Sequence, residues 1–308
     1  MKLKNSVRSI TPVTMFIVLA CAVLICVPLR TFQLVAITDP KTGFFLTRDV
    51  TVIILAAVAA VAGIAEFVLC RLGSKFPEPS FPSGKNRNLS VSALLFSLLL
   101  FVDTVMNGFV LAKLVMAHST DTSLRYFLMS SGVLFLGISM LFELISVIYF
   151  AQISNSYSSG KHTFEKHRAA ALSPVIWCMF RMIYRFIKPI SYKNVGQLFI
   201  EVVLLVMLMG FFMSFARIAS GVNPESSVPV FYASGTVSVM LAAISSIPVL
   251  IMLMTGRAEL IPADYPLSYS SVGIVIFVTC LMSEMLPRTK AVPKEKKEKS
   301  SGKPEESR

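Results

Sequence analysis

Charge is scarce in this chain. Only 15% of its 308 residues are Asp, Glu, Lys or Arg, against about 25% in soluble domains. Together with 55% hydrophobic residues and a mean hydropathy of +0.71, this excludes a soluble globular domain and also a disordered chain, which needs low hydrophobicity. Histidine is rare as well. The three are His118, His162 and His167. The stretch HTFEKH over 162–167 misses the His-x-x-Glu-His zinc pattern, because Lys166 stands where the second His is needed. A metal set of His162, Glu165 and His167 is therefore weakly supported. The five cysteines, Cys21, Cys26, Cys70, Cys178 and Cys280, form no Cys-x-x-Cys pair. They lie in or beside apolar runs, where cysteine behaves as a small hydrophobe. There is no phosphate-binding glycine loop and no Gly-x-Ser-x-Gly elbow. No catalytic constellation, cofactor motif or metal site is visible, so an enzyme is not expected.

What the chain has is long apolar runs. Seven are plain, at 12–29, 50–70, 91–112, 126–151, 195–216, 229–254 and 267–286, each near the ~20 residues that cross a bilayer core as a helix. They are continuously apolar rather than alternating, which excludes barrel strands. The expected fold is an all-α polytopic helical membrane bundle of seven to eight transmembrane helices over residues 1–286. A basic, disordered cytosolic tail follows at 287–308, with eight Lys or Arg against four Glu.

An eighth segment, 171–190, carries Arg181, Arg185 and Lys188 on one helical face, flanked by Trp177 and Tyr184. It reads either as an amphipathic helix on the membrane surface or as a true span whose cations pair inside the bundle. Loop charge separates the two. With eight crossings and a cytosolic N-terminus, 19 of the 29 Lys and Arg residues fall inside and eight outside, while Arg181 and Arg185 lie within the span. With seven crossings the division is 15 against 14, which is no bias. Eight crossings are favoured. Lys2, Lys4 and Arg8 before the first run resemble a signal peptide, but the run stays apolar through Leu29, so an uncleaved first span is the better reading.

The formal charge of +12 then belongs to topology, not to nucleic acid. The partners expected are the bilayer itself and anionic lipid at its cytosolic face. The loop 30–49, with the turn residues Asp39-Pro40 and Gly43, is placed outside and reads either as a ligand-facing surface or as a tight re-entry turn anchored by Phe44 and Phe45. The loop 73–88 holds Pro77, Pro79, Pro82 and Gly84 and is irregular. Asn88-Leu89-Ser90 is a formal glycosylation sequon placed on the cytosolic side, and it is discounted.

Carboxylates inside apolar runs are the informative residues, since a charge there costs about 2.5–3.5 kcal/mol on insertion scales. Glu66, Asp103, Glu143 and Glu201 each sit in a different run and should face the bundle interior. Glu66 shares a small-residue face with Ala59, Gly63 and Cys70. Asp103 and Asn107 share a face at i, i+4. Ser139, Glu143 and Ser146 form a third stripe; Asn194, Gln197 and Glu201 form a fourth. The expectation is that these four stripes meet at a hydrated cavity, or that each carboxylate finds its own partner, with Arg181, Arg185, Lys113 and Arg217 as the available cations. On the eight-crossing topology Asp103 lies near mid-depth, Glu66 and Glu143 toward the cytosol and Glu201 toward the outside. Asp103, Asn107, Glu66, Glu143, Glu201 and Arg181 are the candidate intramembrane polar site. Two classes follow: a transporter-like protein using buried carboxylates, or a non-transporting scaffold, sensor or assembly partner.

Arg30-x-Phe32-Gln33, Asp39-Pro40-x-Thr42-Gly43-Phe44-Phe45, and Val175-Ile176-Trp177 followed by Arg181 resemble a group of uncharacterised multi-pass membrane proteins of clostridial-type bacteria. The resemblance implies a bacterial plasma membrane and carries no activity or site.

Overall fold

The computed structural model describes residues 2–39, 45, 49–72, 81–82, 84–117, 132–161, 167–187, 195–261 and 268–286. Among them the chain is an all-α bundle. Its helices are α1 (Lys2–Phe32), α2 (Val50–Leu72), α3 (Arg87–Ala117), α4 (Val133–Ser159), α5 (Ser173–Ile187), α6 (Val195–Ser220), α7 (Pro224–Met254) and α8 (Tyr269–Glu284). Among the described residues, seven helical segments are long and apolar enough to cross a membrane, and Tyr269–Glu284 is a shorter apolar helix. The chain is an integral membrane protein of the multi-pass kind.

Several helices run past the bounds that hydropathy suggests, for local reasons. The segment read as the start of the first loop is helical. A π-turn over Gln33–Ile37 continues α1, held by the Arg30 Nη1 bond to Gln33 Oε1 at 3.0 Å. It closes where Thr38 gives both its N–H and its hydroxyl to the Gln33 carbonyl, each at 2.9 Å. The chain then folds back through an antiparallel bridge between Thr38 and Phe45. Pro40, Gly43 and Phe44 lie outside the described residues. The fourth helix continues through Ser159, well beyond 151. Its polar end survives because Ser156 and Ser159 donate to the carbonyls one turn back, each at 2.8 Å, and it stops at Gly160, whose φ of 76° suits glycine. Residues 126–131, the stretch 162–166 with His162 and Glu165, Lys188, Asn194 and the tail 287–308 lie outside the described residues.

Six helices close a ring. α3 packs on α4, α4 on α5, α5 on α6, α6 on α7, α7 on α8, and α8 returns to α3. The remaining two, α1 and α2, pack on each other and on α7, which leaves α7 the most enclosed helix. Although 229–254 holds no charge, α7 is rich in hydroxyls. Thr236, Ser238, Ser245 and Ser246 are buried and donate to carbonyls of their own helix.

Hydrogen bonds between chain segments fix the relative direction of three helices. The Asn86 N–H donates to the Tyr157 carbonyl at 3.1 Å, Ser90 to the Ser154 carbonyl at 2.9 Å and Ser97 to the Val147 carbonyl at 2.8 Å. Thus α3 and α4 are antiparallel. At the same bundle end, Asn86 Nδ2 donates to Glu284 Oε2 at 2.8 Å, so α8 finishes beside the start of α3. This is the Asn86 end of the bundle; the Ile187 end is opposite.

The middle of the ring is aromatic. Phe96, Phe150 and Phe277, from α3, α4 and α8, form a triad with centroid separations of 4.6, 5.3 and 5.2 Å. Phe212 and Phe211 of α6 extend it toward Phe231 of α7. Gly273 makes the triad possible: a Cβ there would meet Phe96 Cδ2 at 2.6 Å and the Phe96 Cα at 3.3 Å. Gly235 plays the same part against Met282 and Phe211. By contrast, a Cβ on Gly63, the small residue that stands out in the α2 sequence, would meet only Val237 at an ordinary 3.9 Å. The close helix approaches lie elsewhere.

Candidate functional site

The polar site grows from α3 and α4. Asp103 lies sixteen residues from Arg87, and Glu143 sixteen residues from Ser159. At 1.5 Å per residue both stand about 24 Å from the Asn86 end. They are therefore level. The expected difference in depth between them is absent: α4 runs on to Ser159, and Glu143 stands ten residues from Val133 and sixteen from Ser159.

Asp103 and Asn107 share a face of α3 but serve different neighbours. Asp103 reaches α8. Its Oδ1 accepts the Tyr269 N–H at 3.0 Å, and its Oδ2 accepts the Ser270 N–H at 2.8 Å and the Ser268 hydroxyl at 3.3 Å. The first N–H groups of a helix have no partner within it, and they carry the positive end of its dipole. Asp103 is thus an N-cap supplied by another helix. Its partner is backbone, not a cation.

Asn107 faces α4 and α5. Its Nδ2 donates to Glu143 Oε2 at 3.3 Å, and its Oδ1 accepts from Arg181 Nη1 at 2.7 Å. The amide stands between the carboxylate and the guanidinium, and no direct ion pair joins them. Glu143 is 1% exposed, and its Oε1 has no hydrogen-bond donor. Thr104 stands beside it, but its hydroxyl donates to the Leu100 carbonyl at 2.9 Å. One turn back on α4, the buried Ser139 hydroxyl likewise has no partner. Ser146, one turn beyond Glu143, is satisfied by the Phe142 carbonyl and by Ser173 of α5.

One turn along α5 from Arg181, Arg185 donates through Nε and Nη2 to Glu201 Oε1 at 2.9 and 2.6 Å. This ion pair is about a quarter exposed. It occupies the first turns of α6, toward the Ile187 end. The cations of α5 face α3 and α6, while Trp177 and Tyr184 are buried. The segment is therefore built into the ring, not laid flat with its basic face outward.

Two of the four expected stripes meet directly, through Asn107 and Glu143; the Glu201 stripe is linked to them only through Arg185, one turn along α5 from Arg181, and the Glu66 stripe lies apart. Glu66 lies on α2, which packs against α1 and α7. It is 2% exposed. Thr236 of α7 is its polar neighbour, yet that hydroxyl donates to the Tyr232 and Ala233 carbonyls, and neither Glu66 oxygen has a donor.

No protein-family profile, curated protein or solved structure matches the chain. The site must be read from its own geometry. That geometry is a polar cluster of Asp103, Asn107, Glu143, Arg181, Arg185 and Glu201 in one half of a helix ring. The Phe96–Phe150–Phe277 triad lies seven residues from Asp103 along α3 and seven from Glu143 along α4, about 10 Å nearer the Asn86 end.

Sequence patterns missed the serines of 268–271, although a serine run before an apolar stretch is a helix-start signal. They also missed Gly235 and Gly273, which nothing in their local sequence distinguishes.

Proposed function

We propose that this integral membrane protein is transporter-like, binding and moving a small polar solute through the cluster around Glu143. The observation that carries the reading is a single one. Glu143 is deeply buried, faces the ring interior, and is held by an amide rather than by a cation. Intramembrane ionisable groups that are not consumed by structural pairing mark solute or ion paths. Aromatic closure of the ring on one side of the cluster, with the partly exposed Arg185–Glu201 pair on the other, fits a site open toward one membrane face.

The same reading takes eight crossings with the N-terminus cytosolic, in a bacterial plasma membrane whose anionic lipid faces the basic loops. Support for the count comes from the Asn86–Glu284 bond. It returns the end of α8 to the start of α3, which needs an even number of crossings between them, α5 included. Reporters fused after residue 308 and before residue 2 should both read cytosolic; opposite readings overturn the count.

For transport, the purified full chain is placed in liposomes, and uptake and current are followed under gradients of H⁺, Na⁺, K⁺, Cl⁻ and small organic solutes. The expected result is movement of at least one solute, reduced tenfold or more by Glu143→Gln and retained by Glu66→Gln. Folded protein that moves none of them overturns transport. Equal movement in wild type and Glu143→Gln overturns the assignment to this site.

A further inference from the structure

We infer that the Glu143–Asn107–Arg181 arrangement is a binding site for a zwitterion, a small solute or headgroup carrying an ammonium and an anionic oxygen. The inference rests on the transporter-like reading for its setting, but on different observations for its chemistry. Two opposite charges, the buried Glu143 and the half-buried Arg181, stand on either side of Asn107 without touching. Between them Asn107 turns its carbonyl oxygen to the guanidinium and its amide nitrogen to the carboxylate. An ammonium–carboxylate pair would present oxygen to Arg181 and N–H to Glu143 in the same sense, with full charges on both contacts. Charge-assisted bonds of that kind are shorter and roughly twice as strong as neutral ones. The 3.3 Å contact from Asn107 to Glu143 is long for such a bond.

Groups left over at the site point the same way. Glu143 Oε1 and the Ser139 hydroxyl are buried on one face of α4 without partners, and buried polar groups are ordinarily paired. An ammonium brings three donors, enough for the second carboxylate oxygen and a hydroxyl. The charged contacts argue against a lone ion. Asp103 is held by the first N–H groups of α8 and Glu201 by Arg185, so Glu143 and Arg181 are the two opposite charges of the cluster that no charged group contacts. A lone anion leaves Glu143 uncompensated, and a lone cation leaves Arg181 so. A zwitterion compensates both.

The full chain in nanodiscs is titrated calorimetrically with glycine, β-alanine, γ-aminobutyrate and glycine betaine, and with acetate and methylammonium as singly charged controls. At least one zwitterion is expected to bind tenfold or more tighter than either control. Betaine, lacking N–H donors, should be the weakest of the zwitterions. Glu143→Gln and Arg181→Gln should each cost tenfold or more, and Glu66→Gln should not. If those two variants fail to fold, the wild-type probe series decides alone: no zwitterion bound, or a control bound as tightly, overturns the proposal. Repeating the titration with phosphatidylethanolamine in the nanodisc separates the sources. Competition assigns the zwitterion to a lipid headgroup, and its absence assigns it to a free solute. Zwitterion binding without translocation keeps this inference and removes the transport reading. Translocation of an ion by a chain that binds no zwitterion does the reverse.

Discussion

Replacing Asp103 separates structural from permeation carboxylates. Its two oxygens take two of the first N–H groups of α8, at 3.0 and 2.8 Å, at a depth about 24 Å from the Asn86 end. Hydrogen bonds to a charged acceptor contribute about 1.5–3 kcal/mol each. The two together stabilise the docking of α8 by about 3–6 kcal/mol. Asp103→Asn keeps one acceptor oxygen and loses the charge that complements the helix dipole, so about half of that is lost. Asp103→Ala strands both N–H groups where water is scarce, and all of it is lost. At about 2 °C per kcal/mol for a chain of this size, the melting temperature should fall by about 3–6 °C in Asp103→Asn and about 6–12 °C in Asp103→Ala. Melting is read in detergent by loss of the monodisperse peak of a fluorescent fusion. Solute movement in Asp103→Asn should stay within a few-fold of wild type below its melting point. An Asp103→Ala protein that melts with wild type, yet moves nothing, would refute the cap and restore Asp103 to the solute path.

Three further outcomes follow from the packing. Gly273→Ala drives a Cβ into Phe96, whose ring is stacked on Phe277 and packed at a tilt against Phe150; it should cost about 1–3 kcal/mol, whereas Gly63→Ala should be neutral or slightly stabilising in the same melting assay. Glu66→Gln keeps the shape of a buried carboxylate that no cation pairs, so its melting temperature should equal or exceed wild type, and a clear loss would show a hidden charge partner. Arg185→Glu and Glu201→Arg should each destabilise by about 1–2 kcal/mol, discounted for the quarter exposure of the pair, and the double swap should recover at least half; no recovery would show that the two side chains are held by other contacts.

The membrane class and the helical architecture were legible from hydropathy alone, because apolar runs of about 20 residues have few other physical explanations. The place of the 171–190 segment within the bundle was half legible. Loop charge pointed to it, but the reason it tolerates two arginines is non-local: Arg181 meets Asn107, 74 residues earlier, and Arg185 meets Glu201 on the next helix. A window of one sequence stretch cannot see either partner. That Glu143 stands level with Asp103 was not legible, for a local reason. Residues 152–159 look like loop by composition, but Ser156 and Ser159 satisfy themselves on carbonyls one turn back, and so the helix runs on. Glu66 carried the same signal as Glu143, a carboxylate on a small or polar face, yet the fold sends it to the α2–α7 contact outside the polar cluster.

The three ring carboxylates show why one of them is the functional candidate. Each solves the problem of a charge among apolar helices in a different way. Asp103 is satisfied by backbone N–H groups whose position is fixed by a helix start, and moving it means undocking α8. Glu201 is satisfied by two donors of one arginine, and moving it means breaking an ion pair. Glu143 is held by one long bond from a neutral amide, with an oxygen left over and its counter-charge on the far side of that amide. Exchanging what contacts Glu143 therefore requires only a side-chain rearrangement of Asn107, with no helix displaced and no ion pair broken. A site that must fill and empty repeatedly needs that property, and Glu143 has it where Asp103 and Glu201 do not.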